Sequence, residues 1–282
     1  MTATLTVSNL FAPSRGVVAE LFHREPLYAG AALVMAAAIL PTAFAMGLDA
    51  RTFQDTNVWI KPLKFEFSIC VYFATLAWLA AWLPSGTTAA LWYRVHAGLV
   101  VFAAVAEIVW IAGAAAFGVA SHYNTAQPFL AKIYPVMGAF AVLLTSATIP
   151  FGILIWRNPE GTLKPVGRLS VGLGLLITFV LTLATAGYMS GQMSHLVGAH
   201  VDGQPSFPLM GWSRTSGDLR VAHFFATHAM QIIPAIGFLA SWSLPTRAGR
   251  IAVIGASLLY SAFVIFTLIT AAMGQPFKVL GM

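Results

Sequence analysis

The run GDLRVAHFFATHAMQ, Gly217 to Gln231, sets an Asp-Leu-Arg step, two histidines and a glutamine at the mouth of an apolar stretch. His223 and His228 stand about 140° apart around a helix and about 7.5 Å apart along it, so a straight helix cannot aim both at one metal. The i, i+4 pair of a zinc-protease helix is therefore not present. A metal or haem held by one of them needs a second ligand from another segment, and His122 and His195 are the candidates. Glu107 falls in the middle of a different apolar run, where a carboxylate costs about 2.5–3.5 kcal/mol to insert and marks a functional site by default. With Lys64 it forms an acid–base set suited to handling protons. Arg220, with Arg214 near it in sequence, offers a fork for a carboxylate such as a haem propionate, while Asp218 suits the N-terminus of its helix.

These side chains need a scaffold, and the composition dictates which. Of 282 residues, 59% are hydrophobic and only 9% charged, against about 25% charged in soluble domains. Apolar runs recur at the length of about 20 residues that spans a bilayer as a helix. Seven spans are expected, at 27–46, 65–83, 94–119, 132–156, 169–193, 221–244 and 250–272. Helices are the only open-ended solution in hydrocarbon, because each backbone group must be satisfied within its segment. The expected fold is an all-α polytopic membrane protein: a short cytoplasmic segment over 1–26, then one seven-helix bundle over 27–282. The first 26 residues carry Glu20 and Glu25 and lack a clean apolar core, so they do not read as a cleavable signal. Cys70 is the single cysteine, which excludes intrachain disulfides and CxxC redox chemistry. The net charge of +6 carries no basic cluster interleaved with aromatics, so nucleic acid is not an expected partner. With the N-terminus inside, eight basic residues fall in cytoplasmic segments and seven outside. Moving Lys61 and Lys64 from the loop into span two strengthens that bias.

Sorting positions at 100° per residue places Lys61, Lys64, Ser68, Tyr72 and Thr75 on one face of span two, which must look into the bundle. Thr178, Thr182, Thr185 and Gln192 make a second stripe on span five, weaker because threonines can bond back to their own helix. Gly187 and Gly191 form a small-xxx-small pair for close packing. Under the expected topology His122 and Asn124, then Gln192, His195 and His200, then His223, His228 and Gln231, gather at the outer side. Five of the seven histidines are among them. The connection from Ser194 to Arg220 is long for a compact bundle, and long links are often functional lids. Phe207, Met210 and Trp212 give it apolar groups with which to pack down.

The stretches WIKPLKF (Trp59 to Phe65), SHYN (Ser121 to Asn124) and GWSRTSGDLRVAHFFATHAMQ (Gly211 to Gln231) resemble a family of bacterial multi-span integral membrane proteins. That resemblance implies the bundle and carries no activity. Microbial rhodopsins differ, since span seven has no central lysine and Lys278 lies beyond its end. Membrane hydrolases of the ceramidase type differ too, having HxxxH where this chain has HxxxxH. The expectation is an inner-membrane protein, N-terminus cytoplasmic and C-terminus outside, in contact with the bilayer and a small-molecule ligand; no feature selects an oligomeric state. A metal ion or haem b would sit on His122, His195, His223 and His228, as in an oxidoreductase or other enzyme. Glu107 and Lys64 would handle protons. Asn124, Gln192, Trp212, Arg220, Gln231 and Tyr72 would contact the ligand. The same cluster also suits a proton-coupled transporter, or a receptor or assembly factor for an apolar ligand.

Overall fold

The computed structural model describes residues 16–53, 56–124, 128–198 and 203–278, so His200 lies outside the described residues. An amphipathic helix, α1 (Val17–Arg24), precedes the bundle. It keeps Val17 and Val18 exposed and lays the Arg24 guanidinium over the Trp78 ring at 3.8 Å. Eight helices then build seven crossings: α2 (Pro26–Leu48), α3 (Ile60–Leu79), α4 (Leu91–Phe117), α5 (Pro128–Ser146) followed by α6 (Thr148–Arg157), α7 (Pro165–Gly191), α8 (Leu219–Ser243) and α9 (Thr246–Ala272). Among the described residues, seven helical stretches are long and apolar enough to cross a bilayer. The chain is a multi-pass membrane protein.

Two departures from the sequence reading matter for the site. The second crossing starts at Ile60, so Lys61 and Lys64 belong to its first turns. The fourth crossing is broken at Ala147. Pro150 has no N–H to offer the Ser146 carbonyl, and the helix restarts instead of continuing. Ser146 at this break bonds His96 Nε2 at 2.9 Å, which satisfies that half-buried ring.

Packing is tightest along α7 and α8. A methyl group on Gly237 of α8 would lie 2.0 Å from Ser170 Cβ on α7, and one on Gly174 would lie 2.7 Å from the Pro234 ring. Only glycine permits this approach. Gly187 and Gly191, the pair expected to mediate close packing, face open space instead. The close seam runs through the other half of α7, where Pro234 and Trp156 press on Gly174 and Gly172. The largest apolar core lies on the other side of the bundle, where Tyr28 stacks on Phe73 at 5.4 Å and packs beside Phe151.

The long connection folds back on itself. Its two ends pair as short antiparallel strands, β3 (Leu196–Val197) and β4 (Gly217–Asp218), and Leu219 N–H closes the neck onto the His195 carbonyl at 2.9 Å. Between them Phe207 and Trp212 bond across a tight turn at 2.8 Å, with Leu209 92% exposed at the tip. This lid marks one end of the bundle. At the same end β1 (Thr52–Phe53) and β2 (Thr56–Asn57) form a second small ribbon after α2.

Candidate functional site

The lid end of α3 supplies the first two groups. Lys61 and Lys64 are one turn apart on the same face. Lys64 Nζ donates to the Met210 carbonyl in the lid at 2.9 Å. Lys61 Nζ donates to His122 Nδ1 at 3.2 Å, and Ser121 Oγ shares that nitrogen at 3.1 Å. Among the described residues, neither ammonium has a carboxylate within ion-pair distance. Lys61 keeps accessible surface and lies within Coulombic reach of Glu107 and Arg220.

Helix α4 brings Glu107, only 4% exposed and within Coulombic reach of Lys61. Its Oε1 is buried with no hydrogen-bond partner among the described residues. The turn after α4 then delivers His122. Gly118, at φ 67°, ends the helix in the left-handed region, and Val119 N–H caps the Ala114 carbonyl at 2.9 Å. Tyr123 adopts φ 59°, a strained conformation for a residue with a side chain, of the kind that concentrates at functional sites. That bend sets the Tyr123 and Tyr134 rings 5.4 Å apart, with His122 6.1 Å from Tyr134 and 6.3 Å from Phe65. Arg51 braces the arrangement from outside: it chelates Asp49 and donates to the Ala116 carbonyl at 3.0 Å, at the negative end of α4. Arg51, and then Trp59, hold the Asp49 carboxyl far below the usual carboxylate range.

The lid and α8 close the site. Asp218 is 1% exposed and accepts from Ser213 N–H at 2.9 Å, Arg220 N–H at 3.0 Å and the Arg220 guanidinium at 2.9 and 2.6 Å. It is therefore both the N-cap of α8 and the counter-ion of Arg220. The same guanidinium donates to the Gly211 carbonyl at 2.7 Å. Arg220 is thereby engaged by the protein, and the carboxylate fork expected of it is filled by Asp218. It remains within Coulombic reach of Lys61, Lys64 and Tyr123. Trp212 packs on Phe224 at 5.3 Å and on Phe277 at 6.2 Å, clamping the lid to α8.

Hydrogen bonds and electrostatic reach thus link Lys61 to His122, Glu107 and Arg220, and Lys64 to Arg220 and to the lid at Met210, two residues before Trp212. The other expected residues have partners of their own. His195 holds the lid neck through its carbonyl. His223 Nδ1 lies 3.1 Å from Thr185 Oγ1 on α7, and His228 bonds its own helix at the Phe224 carbonyl while stacking on that ring at 4.1 Å. Tyr72 donates to the Leu144 carbonyl at 2.8 Å and Gln231 to Thr75 at 3.4 Å. Asn124 reaches back to Ala120 at 3.3 Å, and Gln192 is exposed at the end of α7. Among the described residues no three metal-ligating side chains converge. Of the threonine stripe on α7, Thr178 and Thr185 bond carbonyls of their own helix at 2.8 Å.

Comparison with family models, curated proteins and solved structures finds no match to this chain.

The geometry accordingly carries the functional argument, and it includes residues passed over in the sequence. Lys61 was legible only as a member of a stripe, yet it links His122 to Glu107. Glu66, 1% exposed, takes a 2.6 Å bond from Thr42 of α2 and leaves Oε2 without a partner among the described residues. The insertion-cost rule that singles out Glu107 applies equally to it.

His122 supplies a pH test. Burial, and then the Lys61 charge, push its pKa down to about 3, from about 6.5 in an unfolded chain. The folded state binds fewer protons than the unfolded one, so this contribution is complete above about pH 6.5 and is lost as the pH falls toward 3. Acidification should lower thermal stability by up to about 1.4 kcal/mol per pH unit through this one ring. His122→Gln should flatten the dependence, read as unfolding midpoints between pH 7.5 and 4.5; parallel curves for the two proteins would remove His122 from the account.

Proposed function

We propose that this chain is a carrier of the bacterial inner membrane that moves a small molecule together with a proton. The lid end faces outward and the N-terminus lies in the cytoplasm. One observation supports this above the others: Lys61 stands between a neutral imidazole and a buried carboxylate with an unpartnered oxygen. A carboxylate in that position exchanges a proton when the charge beside it changes, because an uncompensated buried anion is expensive. Lys61 is accessible at the lid end, and the lid is anchored by Lys64 and Arg220, residues of the same cluster. A gate tied to its own binding site is what alternating access requires. The redox reading has less support: His122 bonds Lys61, His223 meets Thr185 and His228 bonds its own helix.

The test is proton movement in liposomes holding the purified full-length protein. Inward gradients of succinate, phosphate, alanine and lactose serve as charged and neutral probes, with a pH-sensitive dye in the lumen. At least one should drive acidification, and Glu107→Gln should slow it at least about tenfold. Silence toward all four, or a Soret band on the purified protein, would overturn the reading.

A further inference from the structure

We infer that the ligand of this site is a small organic anion with a carboxylate head and an apolar body, taken up with one proton. The inference rests on the carrier reading for its transport step, but its binding step stands on the cations. Lys61 and Lys64 put two ammonium groups one turn apart on one helix face, Lys61 exposed and Lys64 partly buried. Their protein partners are neutral: an imidazole nitrogen at 3.2 Å and a carbonyl at 2.9 Å. Arg220 adds a third cation, already matched by Asp218. An accessible Lys61 and a partly buried Lys64, neither with a carboxylate within 4 Å among the described residues, leave two ammonium groups open to an anion that arrives from outside. Phe65, Tyr123 and Tyr134 stand around His122, so an anion bound on Lys61 meets aromatic rings on its other faces. Those walls favour an apolar body over a fully hydrated ion such as phosphate.

The proton follows from counter-ion exchange. The charged group within electrostatic reach of Glu107 is Lys61 from α3, which itself bonds His122 in the turn after α4 and lies within reach of Arg220 from α8. Lys61 is the cation that acts on Glu107 directly. With no anion bound, an ionised Glu107 has Lys61 as its counter-charge. A bound carboxylate claims that ammonium, and Glu107 is left buried and unpaired. It takes a proton from the outer solution, so one anion and one proton enter and the net charge of the site is unchanged.

Calorimetric titration of the full-length protein tests this with benzoate, its neutral isostere benzamide, and inorganic phosphate. Benzoate should saturate, with benzamide and phosphate each at least about tenfold weaker. Lys61→Met should weaken benzoate at least about tenfold, Lys64→Met should act in the same direction, and Lys61→Arg should bind within a few-fold of the parent, which separates lost charge from lost folding. In buffers of different ionisation heat the parent should take up one proton per benzoate and Glu107→Gln none. No saturable benzoate binding, methionine variants that match the parent, phosphate binding tighter than benzoate, or proton uptake unchanged in Glu107→Gln would each overturn the inference. Lysine-dependent benzoate binding with silent liposomes would keep the anion site and remove the carrier. Glu107-dependent proton flux driven by lactose alone, with no benzoate binding, would do the reverse.

Discussion

Gly237→Ala is expected to destabilise the bundle by at least about 3 kcal/mol, the upper range for an overpacked core. The added methyl would sit 2.0 Å from both Ser170 Cβ and Ser170 Oγ, on a residue with no accessible surface. No rotamer relieves a contact to Cβ, so α7 and α8 must move apart. That movement would also pull Pro234 off Gly174, where the ring is already in contact distance of the backbone. Between apolar helices in a bilayer such close contact is the principal source of association, because lipid offers the separated helices an equally apolar surrounding. The measurement is the thermal or denaturant midpoint in detergent. Gly237→Ala combined with Ser170→Gly should recover most of the loss, since the second change removes the atoms the first one strikes. Equal midpoints for parent and Gly237→Ala would show that the seam is looser than described.

The seven crossings could be read from the chain because a bilayer imposes one demand on every residue along some 20 positions, and composition alone reports whether it is met. Finer features answer to local partners. The break at Ala147 follows from Pro150, a residue in plain view, but a proline inside an apolar span is as often tolerated as disruptive: Pro41, Pro135 and Pro234 all lie within continuous helices. Glu107 and Lys64 stood out through the cost of immersing a charge, which depends on depth and not on neighbours. Glu66 obeys the same rule but falls on the face of α3 away from the lysines, toward Thr42, outside the polar stripe. The histidines show where sequence reasoning ends. Clustering at one end of the bundle is set by span boundaries, whereas the partner of each ring is set by helix rotation and tilt. Hence His223 meets Thr185 and His228 meets its own backbone, while His122 reaches Lys61 from the turn that the left-handed Gly118 opens after α4. The same limit explains the glycines: a small-xxx-small spacing was present at Gly187 and Gly191, but the contact was made where Pro234 and Trp156 happened to face α7.

Asp218→Ala is expected to release the lid while leaving the seven crossings in place. This carboxylate joins three parts of the site: the lid through Ser213 N–H, the start of α8 through Arg220 N–H, and the Arg220 side chain, which in turn holds the Gly211 carbonyl. Removing one member of a buried ion pair costs about 3–5 kcal/mol when its partner stays buried. The Arg220 side chain is 38% exposed, so water replaces part of the lost interaction, and a local cost of about 2–3 kcal/mol is expected. That energy falls on a segment held by two strand pairs and the Trp212 cluster, not on the helices, so opening of the lid should rise by more than tenfold. Amide hydrogen exchange over 203–218 reads the opening directly, and protease cleavage at the exposed Leu209 tip gives an independent measure. Adding Arg220→Met to Asp218→Ala should restore part of the protection, because the uncompensated guanidinium is then gone. Anion binding on Lys61 should weaken in Asp218→Ala through faster dissociation, since the roof is loosened and the ammonium groups are untouched. If exchange over 203–218 matched the parent, the lid would be held by its aromatic cluster alone, and its coupling to the charged site would have no basis.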